Sequence, residues 1–150
     1  MPLSSQIVED MKTAMKAKDS TALNVIRALK SALKYAAIEK VGADAELDDN
    51  EALLVVRREI KKRQDSVASY TQAAREDLAA VERAEIGVLE KYLPAALPEA
   101  ELAALVETVI AELGASSRKD MGAVMKVLQE RVAGRADNRA VSAEVAKRLA

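Results

Sequence analysis

Five of the seven residues in RREIKKR (57–63) are basic. On a helix Arg57 neighbours Lys61, Arg58 neighbours Lys62, and Glu59 is placed to pair with Arg63. Two readings follow: a stripe that holds phosphates and gains affinity by releasing their counterions, or a solvated helix face. A second asymmetry lies downstream. Residues 95–113 hold four acids (Glu99, Glu101, Glu107, Glu112) and no base, whereas 114–150 hold eight bases and four acids, a net of +4. Arg118, Lys119, Lys126, Arg131, Arg135 and Arg139 are the cations that could face a partner. Arg118 and Lys119 stand at a predicted helix start, where backbone N–H groups and the helix dipole also favour phosphate. The plainer alternative makes these solubilising charges, paired with Asp120, Glu130 and Asp137. With 23 basic and 24 acidic residues, the chain lacks the overall basicity of a dedicated nucleic-acid binder.

Catalytic chemistry has little to work with. The chain has no Cys and no His, which removes thiol nucleophiles, disulfides, thiolate and imidazole metal sites, and the Ser-His-Asp triad. Ser116, Ser117 and Lys119 can be drawn as a Ser-Lys pair, but Ser117 suits a helix cap better. Glu82 and Glu85 lie one helical turn apart, as carboxylate metal ligands would, yet a helical chain with 24 acids makes such pairs by chance. No Gly-rich phosphate loop occurs. Three tyrosines without Phe or Trp make no aromatic cluster of the kind single-strand binders use to stack successive bases. The expectation is no catalytic residue, no metal and no cofactor.

The elements that position these residues are helical. Half of the 150 residues are apolar and only five are glycine, so the core is built from Leu, Val, Ile, Met and Ala. A first helix over 4–18 carries Ile7, Met11 and Ala14/Met15 at helical spacing. Asp19-Ser20-Thr21 opens a second, which presents Leu23, Ile26, Leu29, Leu33 and Ala37 and stops near Gly42. A short acidic loop leads to Asp48, which with Glu51 forms a capping box. The next helix carries Leu53, Val56, Ile60, Val67 and Tyr70; its pattern falters at 71–77 and resumes with Leu78, Val81, Ile86, Leu89 and Leu93. Four antiparallel helices, or three with the last one bent, fit this pattern.

Two prolines then interrupt the chain at EKYLPAALPEAEL (90–102). Pro94 cannot continue a helix, whereas Pro98, followed by Glu99 and Glu101, suits the first turn of a new one. The prediction is an all-α protein: an N-terminal helical domain over 1–93, a stiff connector at 94–98, and a three-helix domain over 99–150. In the latter, Leu102, Val106, Val109 and Leu113 precede Gly114. Met121, Val124, Leu128 and Val132 follow a cap at Ser117–Asp120, and Val141, Val145 and Leu149 follow Asp137. Gly122 carries a helical cost of roughly 1 kcal/mol, explained by close packing of a neighbouring helix, with a partner's backbone as the alternative. The pairs Met11/Met15 and Met121/Met125 read as core filling. The opening MPLSSQIVEDMK has acids where a leader needs apolar residues, and no apolar run reaches transmembrane length. A cytoplasmic protein without membrane contact is expected.

EKYLPAALPEAEL, GASSRKDMGAVMKVL (114–128) and GRADNRAVS (134–142) strongly resemble the GatB/YqeY family of small bacterial proteins. EDMKTAMKAKDSTALNVIRALKSALKYAAIEK (9–40) and REIKKRQDSVASY (58–70) extend the likeness over nearly the whole chain. The resemblance implies the tail architecture of the B subunit of tRNA-dependent amidotransferases, where the tail is associated with recognising tRNA and amide transfer occurs elsewhere. Three functions are consistent with it. The first is a non-catalytic tRNA-associated accessory, using the C-terminal cations with help from Arg57, Arg58, Lys61 and Lys62. The second is a module docking an aminoacyl-tRNA synthetase or amidotransferase subunit through apolar residues near Leu93, Leu97 and Leu102. The third is an amidotransferase-like enzyme, a carbon–nitrogen ligase with glutamine as nitrogen donor, for which the missing Cys and His are unfavourable. Where the family commonly has Gly, this chain has Ala74 and Asn138. Asn tolerates left-handed backbone; Ala tolerates it poorly, so the turn at Ala74 is expected to be more helical here.

Overall fold

The computed structural model describes residues 1–42 and 45–149. Among them there is no strand, and the fold is all-α. The helices are α1 (Leu3–Ala17), α2 (Ser20–Val41), α3 (Asp49–Gln72), α4 (Glu76–Glu90), α5 (Glu99–Leu113), α6 (Met121–Val132) and α7 (Asn138–Arg148), with a 3₁₀ turn at Arg118–Asp120. Chain contacts divide it into two compact units, Met1–Leu93 and Pro94–Ala150. No helix among the described residues is long and apolar enough to cross a membrane.

Local chemistry accounts for the helix boundaries. The Asp19 carboxylate accepts the Ala22 N–H at 3.1 Å and starts α2. Asp48 accepts the Glu51 N–H at 2.8 Å while Glu51 accepts the Asp48 N–H at 3.0 Å, a complete capping box for α3. Asp137 accepts the Ala140 N–H at 2.7 Å and starts α7. The acidic loop before Asp48 lies partly outside the described residues, at 43 and 44.

In the first unit, Ile7, Val25, Ile26, Leu29, Val56, Ile60 and Leu89 fill a core to which all four helices contribute. Val81 does not join it and is 54% exposed; Ala79, two residues earlier and so on the other side of α4, is buried instead. Met15, read as core filling, is half exposed, while Met11 packs against the core. The buried Tyr92 hydroxyl donates to Asp10 Oδ2 at 2.8 Å, tying the exit of α4 to α1. Burial, then that hydrogen bond and the Asp10 charge, push the phenol well above its ordinary pKa.

α3 and α4 are separate helices, and the turn between them corrects one expectation. Ala74 adopts φ +57°, in the left-handed region. The Arg75 N–H donates to the Tyr70 carbonyl at 2.8 Å and the Ala74 N–H to the Thr71 carbonyl at 3.1 Å. This is a Schellman closure, which fixes the left-handed residue by satisfying two terminal carbonyls of α3. Hydrogen bonding here outweighs the steric preference of Ala. Asn138, by contrast, is the first residue of α7, capped by Asp137, and needs no left-handed geometry.

The second unit has its own core: Leu102, Val106 and Val109 of α5, Val124, Leu128 and Val132 of α6, and Val141, Val145 and Leu149 around α7. Arg135, in the turn after α6, holds the segment that leads into α5. Its carbonyl accepts the Leu97 N–H at 2.8 Å and its Nε donates to the Ala95 carbonyl at 3.1 Å. Gly122 is exposed, and a Cβ added there would meet nothing within 4 Å. Close packing of a neighbouring helix therefore does not explain this glycine.

Candidate functional site

In RREIKKR, the structure brings acids to most of the cations. Arg63 is the anchor: its Nε donates to Glu85 Oε2 of α4 at 3.0 Å, and its Nη1 donates to Glu59 Oε2 and to the Glu59 carbonyl at 3.1 Å each. Lys62 donates to Glu59 at 3.0 Å and Lys61 to Asp65 at 2.8 Å. Burial pushes the Glu59 carboxyl up, but hydrogen bonds from Lys62 and Arg63, reinforced by their charges, hold it below its ordinary value. Arg57 is half-buried, and exposed Arg58 borders a cleft of about 330 Å³ between α2 and α3, beside Glu39 and the Lys40–Glu51 ion pair. This run is a neutralised seam more than a block of free charge. Glu85, which with Glu82 is expected to be only a chance carboxylate pair, is engaged by Arg63, and no three His, Cys, Asp or Glu residues converge on a metal position among the described residues.

The cations of the second unit fall into two groups. α5 supplies acids to some of them: Glu112 accepts from Arg131 at 2.5 Å, and Glu107 accepts from Arg148 at 2.5 Å. The hydrogen bond from Arg131 holds the Glu112 carboxyl below its usual range. Arg148 and Lys147 share Glu144 as well. Arg135 is spent on Ala95 and Leu97. Arg118, Lys119, Lys126 and Arg139 are exposed and have no acidic partner among the described residues.

Lys119 and Lys126 are seven residues apart, so they share one face of the helical stretch. The exposed Gly122 lies between them, and Glu130 stands one turn further on. The helix start itself is not open to phosphate. The Asp120 carboxylate accepts the Ser116 and Ser117 N–H groups at 2.9 and 3.3 Å, placing the protein's own anion there.

The apolar residues near which docking is expected each pack within their own unit, Leu93 and Leu97 only partly buried. Leu102 is buried in the second core and Leu97 packs on it, while Leu93 packs on the first core.

One cationic face escaped the sequence reading. Arg27, Lys30 and Lys34 lie on the exposed side of α2, and none has an acidic partner among the described residues. The signal was available: from Ser20 to Ile38 the chain has no Asp or Glu at all. Three bases spread over eight residues attract less notice than five in seven, although partner count matters more than density.

A family model described as Yqey-like protein matches residues 4–149. The chain is 36% identical over 108 residues to Altered inheritance of mitochondria protein 41, mitochondrial, of Kluyveromyces lactis, covering 70% of this chain and 57% of that protein. It is 30% identical over 140 residues to the protein of that name from Pyrenophora tritici-repentis, covering 91% and 75%. For the Clavispora lusitaniae protein of the same name the figures are 30% over 135 residues, 87% and 76%. The chain thus spans less than two thirds of the Kluyveromyces protein. These names overturn the cytoplasmic expectation, since they belong to mitochondrial proteins. The acids that argued against a leader, Glu9 and Asp10, belong to α1, whose Leu3 and Ile7 are core residues; they report on folding and carry no information about compartment.

Proposed function

The chain belongs to the family of YqeY-like proteins, and from that premise we propose that it is a tRNA-associated accessory protein without a catalytic site of its own. In this reading residues 1–93 form a helical bundle and 99–150 a three-helix domain akin to the tail of amidotransferase B subunits, joined at 94–98. The second unit meets the phosphate backbone through Arg118, Lys119, Lys126 and Arg139. Arg131 and Arg135 serve the fold, and Arg57, Arg58, Lys61 and Lys62 play a lesser part.

One observation carries the proposal: the acids of α5 and α7 neutralise Arg131, Lys147 and Arg148 but leave those four exposed cations without partners. An unpartnered surface cation gives up no ion pair when it meets a phosphate, so counterion release is realised in full. Helices on A-form RNA read backbone shape, because the deep major groove is closed to side chains.

The test is a fluorescence-anisotropy titration against total tRNA at two or more salt concentrations. The intact chain is expected to bind with a steep salt dependence. Arg118→Ala/Lys119→Ala/Lys126→Ala should weaken binding and flatten the log–log salt slope by about 0.7–0.9 per phosphate contact removed. Absence of binding at low salt would overturn the reading.

A further inference from the structure

We propose that the outer face of α2 is a second RNA-binding surface, made of Arg27, Lys30, Lys34 and Tyr35. The inference rests on the tRNA reading for the class of partner, but on different residues in a different unit. α2 is 22 residues long, and its inner face is consumed by the core through Val25, Ile26 and Leu29, with Ala37 buried further along. From Asn24 to Ile38 what remains outside is Asn24, Arg27, Lys30, Ser31, Lys34, Tyr35 and Ile38, all exposed, with exposed Glu39 and Lys40 following at the end of the helix. Arg27 and Lys34 stand about 10 Å apart along the axis at 1.5 Å per residue, with Lys30 between them. Of the helical cationic faces in this protein, this one has the least acid on it: none from Ser20 to Ile38.

Tyr35 adds a second kind of contact. It is 72% exposed, forms no hydrogen bond among the described residues, and lies one residue beyond Lys34. An exposed aromatic ring beside free cations can take an unstacked base while the cations hold the adjoining phosphates. The same features count against a lipid surface. Membrane-surface helices keep a broad apolar face to bury, and α2 has already spent its own on the core, leaving only Tyr35 and the 42%-exposed Ile38 outside.

The test uses the full chain in the same tRNA titration, with three variants: Arg27→Ala/Lys30→Ala/Lys34→Ala, Tyr35→Ala and Tyr35→Phe. Circular dichroism melts establish that each is folded. The triple variant is expected to bind at least tenfold more weakly, with the salt slope reduced by about 2–3. Tyr35→Ala should lose about tenfold with its salt slope unchanged, as stacking predicts, and Tyr35→Phe should retain wild-type affinity. Acetylation footprinting of the unsubstituted chain should find Lys30 and Lys34 protected by tRNA, which supports the proposal without any variant.

The proposal falls if the α2 triple variant keeps wild-type affinity and slope while Arg118→Ala/Lys119→Ala/Lys126→Ala loses them; the tRNA reading then stands without it. The opposite pattern upholds this face and removes the role given to the second unit. Failure of the intact chain to bind tRNA overturns both. Binding instead to vesicles of phosphatidylglycerol and phosphatidylcholine, lost in the α2 variant, would replace RNA with a lipid surface.

Discussion

Arg27 and Arg63 are the same residue type on neighbouring helices, yet only one is free to meet a partner. Arg63 is held by Glu59 beside it and by Glu85 from α4, with side-chain exposures of 13%, 12% and 22%. Because the folded-state pKa of Glu59 lies below its unfolded value, its stabilising contribution is present above the unfolded value and is lost as pH falls through the folded one. Lowering the pH from 7 toward 3.5 should therefore reduce the urea midpoint, and Glu59→Gln should lower stability at pH 7 while flattening that acid limb. Tyr92 makes a comparable long-range bond. Tyr92→Phe leaves the partly buried Asp10 without its donor and is expected to cost about 1–3 kcal/mol in urea unfolding. Ala74 goes the other way. Ala74→Gly relieves the left-handed penalty at some cost in unfolded-state entropy, for a net gain of about 0.5–1 kcal/mol and a higher melting temperature.

At the level of elements, the parts of the fold legible in the sequence were those decided within a few residues. Asp19, Asp48 and Asp137 cap helices because each needs only an N–H two or three positions away. The breaks at Gly42, Gly114 and Gly134 follow from positive φ, which all three adopt. Removing the α3 cap with Asp48→Ala should cost about 1 kcal/mol, and hydrogen exchange should locate the loss in the first turns of α3. The turn at Ala74 is not legible locally, because its left-handed residue is set by the Tyr70 and Thr71 carbonyls rather than by its own side chain. Val81 stands at helical spacing from Leu78, but the inward side of α4 runs through Ala79, Ile86 and Leu89, and a small Ala gives the apolar pattern little to mark it. The candidate site was harder to read for a related reason. Whether a cation is free depends on acids many residues away, as when Glu85 reaches Arg63, Glu112 reaches Arg131 and Glu107 reaches Arg148. Charge density along the chain therefore favours RREIKKR, where most cations are matched, over Arg27, Lys30 and Lys34 of α2, which are not.

For the molecule as a whole, a net charge of −1 conceals an uneven distribution, since matched and unmatched cations count alike in the total. Two cores built from different residues also let damage be assigned to its source. Leu128 is fully buried, so Leu128→Ala should cost about 2–5 kcal/mol, with faster hydrogen exchange in α5, α6 and α7. The bond pattern around Arg135 bears on where this chain can be cut. Its backbone and guanidinium grip Ala95 and Leu97, so residues ahead of α5 are part of what the α6–α7 turn holds in place. A fragment carrying the second core has to keep Pro94 onward. One that starts at Glu99 discards both bonds and the packing of Leu97, and leaves the Arg135 carbonyl and guanidinium without these partners.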